Sequence, residues 1–492
     1  MSGDVAPLAL PTMLPTSLRE KRAPPAKSYL RFMARRYLVF TVVGIALLTL
    51  AGRVYWPHDR PYRSSDTSSR NPLVQHPPLP PLYEAYHEAE LRLPQHHWEQ
   101  RRPREEEKFL FVAGHSRSCG WGNAMQELLL NAYMAYKSRR SFVFSNYTWN
   151  PDGSKYSDYN GKKIPSLIPF SALIAGPIVG DKFPEGDHTP LAVHRDYFDA
   201  MCPDKVTFIR EDISEIISFK NSAKEITDGW HDKLAGVKDQ CVQTAINSGQ
   251  IYNFDVFGDP RAMLDIWPEL STSPILTHFR WSPLVELAFD TNRAFFLPAT
   301  SAEPYTSHQP HLTNADRYPV IPGLMAIHVR RGDFGDHCRF LGSFAADYAA
   351  FSALRGLPDR FVPPRTGNAE ADADVHRSHC YPSVREIVAR VREIRASAAG
   401  QGLERLHIMT NGDGVFIAEL RTALGRDQDW KMITSSRDLS LNWEQKYVAQ
   451  AVDMLVGQRA QVLIGNGFST MTSNIVTMRM ANRIRPDSTR FW

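Results

Sequence analysis

Excess charge, cysteine and long apolar runs are all scarce in this sequence. Its 492 residues have a formal net charge of +4. Residues 1–36 hold seven Lys and Arg against two acidic residues, a local charge of +5, which leaves −1 for the rest of the chain. A balance so near zero gives no support to a large nucleic-acid-binding surface. The length exceeds what one hydrophobic core serves, so at least two domains are expected.

Cysteine is present in a small and odd number, which leaves at least one thiol free or in an intermolecular bond. The five residues are Cys119, Cys202, Cys241, Cys338 and Cys380. Neighbours along the chain suggest the disulfides Cys202–Cys241 and Cys338–Cys380, although the sequence leaves other pairings open.

A single apolar run is long enough to matter for membranes. Residues 37–52 carry no charge, and residues 54–56 extend the run beyond Arg53 to about 20 residues, enough to cross a bilayer. The basic residues 1–36 place the N-terminus in the cytosol. We therefore predict a cytosolic tail over 1–36, a transmembrane signal anchor over 37–56, and a catalytic part in the lumen of the Golgi or ER. A cleaved signal peptide is the alternative, but no clear small-x-small cleavage site follows.

Regular patterns begin only after a Pro-, Arg-, His- and Glu-rich segment, residues 57–107, which we predict to be a stem. A strand, a loop, a helix and a second strand are then predicted at 109–113, 114–122, 123–138 and 141–144. This β-α-β order indicates a parallel sheet. Fewer signals follow in residues 145–320, where helices are expected near 211–218, 224–236 and 283–290.

Strands and helices alternate clearly in the second half. The predicted strands are 324–329, 405–410, 430–434 and 462–464, and the predicted helices are 383–398, 414–424, 443–459 and 469–480. The stretch from the first of these strands to Tyr381 is expected to be irregular. The pattern predicts an α/β fold with an N-terminal α/β domain over 108–320 and a C-terminal Rossmann-like domain over 321–492.

The most informative segment is His328-Val329-Arg330-Arg331-Gly332-Asp333, which follows an apolar strand directly. Ligands bind at the carboxyl ends of strands in open α/β sheets. Two arginines there predict a polyanion such as a diphosphate, because the guanidinium fork matches phosphate oxygens. We expect Arg330 to bind the phosphate, and Arg331 paired with Asp333 to brace the loop.

Two further segments lie at comparable positions. Residues 118–123 form a glycine-containing turn between strand and helix, which suits either an anion at the helix N-terminus or close packing alone. Residues 462–470 join a strand to a helix start with Ser469 and Thr470, which can cap the helix or bind phosphate. Local sequence does not choose between these alternatives.

Together, the three segments resemble the GDP-fucose-dependent fucosyltransferases, the superfamily of α1,2-, α1,6- and protein O-fucosyltransferases. The resemblance implies a GT-B-like fold with two facing Rossmann-like domains, an inverting mechanism, and no metal or cofactor beyond the donor GDP-fucose. The acceptor would be a glycan or glycoprotein. Carried over by position, it implies phosphate binding by Arg330, Ser469 and Thr470, guanine recognition by His328 and Asp453, and one wall of the cleft from Gly120, Gly122 and Asn123. For Asp453, a solvated helix carboxylate is the alternative.

The catalytic base is harder to assign, because this chain departs from the α1,6 enzymes just beyond the arginine pair. Inversion requires a group that takes the proton of the acceptor hydroxyl. Asp336 is the nearest carboxylate and our candidate, with His337 and Glu127 as rivals. Two alternatives for the whole chain follow: a transferase for another nucleotide sugar, or a catalytically dead lumenal binding protein with the same fold.

Two metal-like patterns are expected to be misleading. Asp372-Ala373-Asp374 has the Asp-x-Asp form of metal-dependent glycosyltransferases, but it follows no apolar strand, and we predict a solvated loop. The zinc-ligand types His337, Cys338, His376, His379 and Cys380 fit no standard module spacing. We therefore predict no metal site. Asn146 begins an N-glycosylation sequon, which a lumenal location would make usable.

Overall fold

Two five-stranded parallel sheets organise the part of the chain that the structure, a computed structural model, describes. That part comprises residues 79–100, 102–159, 161–218, 220–310, 312–426 and 429–492. It belongs to one unit, His76–Trp492. The predicted tail, signal anchor and first part of the stem lie outside the described residues. No helix among the described residues is long and apolar enough to span a bilayer.

The strands, numbered in chain order, are β1 Phe109–Phe111, β2 Ser141–Phe144, β3 Asn146–Thr148, β4 Tyr156–Tyr159, β5 Lys162–Pro165, β6 Leu167–Pro169, β7 Ile174–Ala175, β8 Val193–His194, β9 Val206–Phe208, β10 Cys241–Thr244, β11 Arg280–Trp281, β12 Ile321–Val329, β13 Arg405–Thr410, β14 Met432–Ser435, β15 Ala460–Gly465 and β16 Thr489–Phe491. The first sheet has the order β8-β2-β1-β10-β9, and the second has the order β14-β13-β12-β15-β16. All pairings within these two sheets are parallel. The predicted α/β class with parallel sheets is therefore confirmed.

The helices are α1 Glu84–Leu91, α2 Trp121–Lys137, α3 Arg195–Met201, α4 Arg210–Ile213, α5 Ala223–Ala235, α6 Phe254–Gly258, α7 Pro260–Met263, α8 Trp267–Leu270, α9 Pro274–Thr277, α10 Pro283–Thr291, α11 Arg293–Phe296, α12 Asn314–Arg317, α13 Phe334–Ser343, α14 Ala369–Cys380, α15 Val384–Ala396, α16 Gly414–Arg426, α17 Ala449–Arg459 and α18 Thr470–Ala481. Three of them, α2, α17 and α18, are buried on nearly every side. Helices with apolar residues all round lie in the core of larger proteins. Helix α2 packs against α18, which joins the first half of the chain to the second.

Several elements differ from the sequence prediction. The stretch between β12 and Tyr381, expected to be irregular, contains α13 and α14. Its helical periodicity is obscured because both helices are largely exposed and carry few apolar positions. Helix α17 begins at Ala449 rather than at residue 443, since Asn442 and Gln445 bond each other's backbone N–H groups and form a turn instead. The short edge strand β16 was not predicted.

Both disulfides suggested by neighbouring positions are present. Cys202 follows α3 and joins Cys241 at the start of β10, and Cys338 of α13 joins Cys380 at the end of α14. Cys119 is the one free cysteine.

The described end of the predicted stem is folded onto the rest of the unit. Tyr83 is buried, and its hydroxyl donates to the Glu444 carbonyl at 2.8 Å. Glu90 of α1 is buried as well, and it accepts a hydrogen bond from the Ser171 backbone N–H at 2.8 Å. Residues 79–100 therefore contact both halves of the chain. The predicted boundary near residue 320 between two domains stays a prediction.

Candidate functional site

Arg330 lies just past β12, at the carboxyl end of the second sheet. Its side chain is 29% exposed, and its Nη2 faces Asp333 Oδ1 at 3.5 Å. The guanidinium lies over the Phe334 ring, 4.8 Å from its centre. Its Nε–H is buried and has no hydrogen-bond partner among the described residues. A half-exposed cation with an unused buried donor is suited to bind an anion.

Arg331 has the opposite surroundings, since it is buried. Its guanidinium donates to the Arg330 carbonyl at 2.8 Å and to the Pro382 carbonyl at 2.6 Å. It lies between the rings of Tyr381 and Phe416, at 4.6 and 4.2 Å. Burial lowers its pKa to about 10. Arg331 braces the loop as expected, but the predicted pair with Asp333 is wrong, because that carboxylate faces Arg330 instead.

His328 is buried within the second sheet, and burial lowers its pKa to about 3, so it is neutral at physiological pH. Its Nδ1 is 2.8 Å from the hydroxyl of Thr472 on α18. Its carbonyl accepts from the Trp492 indole N–H at 2.8 Å. These contacts fix the end of β12 from two sides. A guanine contact by His328 stays a prediction.

Asp453 of α17 is buried, so the alternative of a solvated helix carboxylate is wrong. Its Oδ1 is 3.1 Å from Nε2 of His407, and its Oδ2 accepts from the Ser436 hydroxyl at 2.7 Å. The other nitrogen of His407 is 2.9 Å from the Thr434 hydroxyl. The result is a continuous polar network between β13, β14 and α17. The guanine role of Asp453 is still untested.

The glycine turn of the first half lies directly against the start of α18. A Cβ atom on Gly122 would lie 2.6 Å from Thr470 Oγ1 and 2.9 Å from the Met471 N. The Gly122 carbonyl also accepts from the Asn474 amide at 2.8 Å. Close packing therefore accounts for this glycine. By contrast, Gly120 has open space where its Cβ would be, and Asn123 is exposed.

The hydroxyl groups at the start of α18 do not act as helix caps. Ser469 occupies the N-cap position, yet its side chain makes no capping hydrogen bond. Ser469 is buried and Thr470 is half-buried. The capping alternative for Ser469 is thus wrong, and the Thr470 hydroxyl lies beside Gly122 of the glycine turn.

The three candidates for a base differ sharply in their surroundings. Asp336 of α13 is 82% exposed and pairs with Arg339. His337 is half-buried, and burial together with the nearby Arg330 lowers its pKa. Glu127 of α2 is fully buried, and burial raises its pKa to about 7.

Neither metal-like pattern forms a site. Asp372 and Asp374 lie on α14, not in the predicted loop, and Asp372 accepts hydrogen bonds from Thr366. Cys338 and Cys380 are consumed by their disulfide and cannot ligate zinc. Across the described ranges, no group of three or more His, Cys, Asp or Glu side chains is arranged to hold a metal ion.

Some residues of the site were missed from the sequence. Asn411 accepts the Arg331 backbone N–H at 2.8 Å and returns a hydrogen bond to its carbonyl at 2.9 Å. His407 and Thr472 contact predicted site residues as well. One available signal was His407 itself, an imidazole between the apolar residues Leu406 and Ile408 of the strand next to β12.

Comparison with known proteins gives similar folds only. No protein-family model and no curated protein matches the chain. Solved structures do match the chain. Fucosyltransferases are among the similar structures. The apo form of POFUT1 is 14% identical, covers 80% of this chain and 99% of its own, and has a TM-score of 0.46. POFUT1 in complex with GDP-fucose is 14% identical over 79% of this chain and 97% of its own, with a TM-score of 0.45.

The NodZ α-1,6-fucosyltransferase soaked with GDP-fucose is a more distant neighbour. It is 12% identical, covers 77% of this chain and 92% of its own, and has a TM-score of 0.35. At such identities and TM-scores the likeness carries no argument about the residues or the activity of this chain.

Proposed function

We propose that this protein is a glycosyltransferase that moves fucose from GDP-fucose to a glycan or glycoprotein acceptor. The observation that carries the proposal is Arg330, a half-exposed guanidinium at the carboxyl end of β12 with a buried Nε–H unused by any described residue. The segment around it supplies the His-x-Arg-Arg-x-Asp pattern of the superfamily that the sequence resembles.

The chemistry assigned to Arg330 follows from where charge develops. Transfer breaks the bond between C1 of fucose and the β-phosphate oxygen, so that negative charge grows on GDP. A fixed guanidinium there stabilises the leaving group without a metal ion. We propose an inverting mechanism in two facing GT-B-like domains, with Ser469 and Thr470 as further phosphate ligands.

The nucleoside end of the donor is assigned to the buried polar groups of the second sheet. His328 is neutral and hydrogen-bonded to Thr472, and Asp453 accepts from His407 and Ser436, so each side chain is held in one orientation. Fixed donors and acceptors are what base recognition requires. The turn at Gly120–Asn123 would close the cleft from the first half.

We also propose that the protein is a single-pass type II membrane protein of the Golgi or ER with its catalytic part in the lumen. The apolar run 37–52 behind a basic tail supports the anchor. The two disulfides support an oxidising compartment.

One experiment tests the donor site directly. Arg330→Ala in the full-length chain should reduce transfer from GDP-fucose by at least about 100-fold, the usual cost of removing one charge-stabilising donor. Its unfolding temperature should change little, because the side chain makes one long ion pair with Asp333 and one ring contact with Phe334. Arg261→Ala is the control, since Arg261 is 91% exposed and pairs only with the neighbouring Asp259. Transfer at the wild-type rate by Arg330→Ala would refute the phosphate role.

Two alternatives are decided by the same preparations. A donor panel measured by nucleotide release separates GDP-fucose from other nucleotide sugars. The second alternative is a catalytically dead binding protein, because Asp336, the candidate base, is exposed and pairs with Arg339. Such a protein would bind GDP but would not release it from the donor in the presence of an acceptor pool. Activity that EDTA removes and Mn²⁺ restores would contradict metal independence and point to Asp372 and Asp374.

A further inference from the structure

A narrow pocket opens at the carboxyl ends of β1 and β2, between the first sheet and α2. Its polar lining comes from His115 and Ser116 on the turn after β1, Glu127 and Asn131 on α2, and Ser145 and Asn146 after β2. The space between them holds about two water molecules. It therefore admits hydroxyl groups rather than a whole sugar ring.

Unpaired polar atoms converge on this pocket. Glu127 Oε1, Asn131 Oδ1, Asn146 Oδ1 and His115 Nε2 are all buried, and within the described ranges none has a hydrogen-bond partner. Glu127 and Asn131 are almost completely inaccessible to solvent, at 1% and 3% exposure. Buried polar atoms in folded proteins are nearly always paired, so four orphans in one place require an explanation.

All four atoms are hydrogen-bond acceptors, although the amide of Asn131 also interacts with the Glu127 carboxylate and favours its charged form. For His115, Nδ1 is 3.3 Å from the Val112 carbonyl, and a carbonyl can only accept, so the hydrogen is on Nδ1 and Nε2 keeps its lone pair. Burial and the nearby Arg117 lower the pKa of His115 to about 4, which keeps the ring neutral. A pocket lined by acceptors is complementary to a ligand that presents several O–H donors close together. Adjacent hydroxyls on a sugar have this arrangement, whereas a serine or threonine side chain offers only one.

Glu127 is held in place by its other oxygen. Oε2 accepts from the Ser116 backbone N–H at 2.6 Å and from the Gln250 side-chain amide at 3.4 Å, whereas Oε1 belongs to a residue that lines the pocket and accepts no hydrogen bond among the described residues. Burial raises the pKa of Glu127 to about 7, so that an appreciable fraction is a carboxylate at neutral pH. The titratable groups around it are Cys119, His115 and Arg117, all on the turn after β1. None of them is a better proton acceptor for an incoming hydroxyl, because Cys119 is a neutral thiol, Arg117 is a cation, and His115, with its pKa lowered to about 4, is a weaker base than Glu127.

We propose that this pocket receives the reacting hydroxyl of a carbohydrate acceptor together with a neighbouring hydroxyl, and that Glu127 is the catalytic base. The inference rests on the proposed fucosyl transfer and deepens it. The acceptor O–H bond breaks as the new O–C1 bond forms, the proton goes to Glu127 Oε1, and the electron pair of the broken C1–O bond leaves with GDP. The turn that carries His115 continues to Gly122, which touches Thr470 on the donor side.

The test compares Glu127→Gln with Glu90→Gln in the full-length chain. Glu90 is a matched control, because it is also 1% exposed, also has an unpaired oxygen, and also has a pKa raised to about 7 by burial, but it lies outside the pocket. Transfer is measured from GDP-fucose to methyl glycosides of galactose, glucose, mannose and N-acetylglucosamine, and to a serine- and threonine-containing peptide. GDP affinity is measured by calorimetry.

Glu127→Gln should bind GDP as wild type does and lose transfer by about 100-fold or more. Wild-type kcat/KM should rise as the pH passes through 7, and this limb should vanish in Glu127→Gln but persist in Glu90→Gln. At least one glycoside should be a better acceptor than the peptide. As a second variant, Asn131→Leu should raise KM for glycosides without changing GDP affinity.

Each part of the inference has its own contrary result. Normal transfer and a normal pH limb in Glu127→Gln would overturn the base assignment. An unchanged KM in Asn131→Leu, or preference for the peptide, would overturn the hydroxyl pocket. Absence of GDP binding by the wild-type chain would instead be a failure of the proposed function.

Discussion

Two adjacent arginines at the end of β12 have opposite roles because the chain turns between their side chains. Arg331 is enclosed by Tyr381, Phe416 and the Pro382 carbonyl, whereas Arg330 keeps a free edge. The residue types were visible in the sequence, and so was their position at a strand end. The partners were not, because Pro382 and Phe416 are 51 and 85 positions distant and only the fold brings them near.

Arg331→Lys should lower the free energy of unfolding by about 2 kcal/mol, because lysine cannot keep the guanidinium hydrogen bonds and the ring contacts together. Arg330→Lys should leave the free energy of unfolding unchanged and weaken GDP binding. Urea unfolding of both variants, with GDP titration of each, checks this pair. Equal stability losses in the two would contradict the division of roles.

Burial of Glu90, which lies outside the candidate site, makes the stability of the protein depend on pH. Its pKa is raised from 4.5 to about 7, mainly by burial, so the folded state holds its proton where the unfolded chain has released it. Stability is therefore lost as the pH rises from 4.5 to 7, by roughly 3 kcal/mol in total. Glutamine stays neutral and avoids this loss.

The unfolding temperature of Glu90→Gln relative to wild type should rise between pH 4.5 and pH 8. His194 Nε2 lies 3.8 Å from Glu90, but burial lowers the pKa of His194 to about 4, so its ring is neutral in the folded state of both chains over this pH range. Glu88→Gln is the control in the same helix, because Glu88 is 60% exposed. A constant difference across the pH range would show that Glu90 is not protonated in the folded protein.

At the scale of elements, the alternating strands and helices after residue 400 were predictable because each strand is a short, mainly apolar segment between longer amphipathic ones. The elements that were missed have weak signals for physical reasons. Helices α13 and α14 expose most of their surface, and β16 is a three-residue edge strand. The contact between the glycine turn and α18 was foreseeable only as a shared site, since nothing in either segment specifies the other.

Gly122→Ala should destabilise the protein by about 1–3 kcal/mol, because its Cβ would overlap the Thr470 hydroxyl oxygen and the Met471 backbone nitrogen. Gly120→Ala is the matched variant two residues away, with open space at its Cβ position. It should cost less than about 1 kcal/mol, the loss of a favourable N-cap residue. Chemical unfolding of both measures the difference. If Gly122→Ala were as stable as Gly120→Ala, α18 would have to move away from the turn.

At the scale of the whole molecule, residues 79–100 contact both halves of the chain. They add to the packing of α2 against α18, which also joins the two halves. Tyr83 bonds the Glu444 carbonyl in the second half, and Glu90 bonds Ser171 in the first. The sequence predicted a stem here because the segment is rich in Pro, His and Glu. Composition could not show that a few apolar and carboxyl groups would be buried by distant surfaces.

Tyr83→Phe should lower the free energy of unfolding by about 1 kcal/mol, the net contribution of one buried hydrogen bond. Tyr83→Ala should lower it by about 3 kcal/mol or more, since the ring is 1% exposed. Leu79→Ala, at a position 42% exposed, should be nearly neutral. Equilibrium unfolding in urea checks all three. A neutral Tyr83→Ala would mean that the segment is only loosely attached.

The two disulfides leave one free thiol, Cys119, whose reactivity reports whether the protein is folded. Four of the five cysteines are bonded, and the fifth, Cys119, has a pKa raised to about 12 by burial and by the neighbouring Glu127. An alkylating reagent reacts with thiolate, so the intact oxidised chain should label very slowly at neutral pH. The fraction of a preparation that reacts rapidly with iodoacetamide then measures the fraction of molecules that have unfolded or lost a disulfide. This can be determined before any activity is assayed.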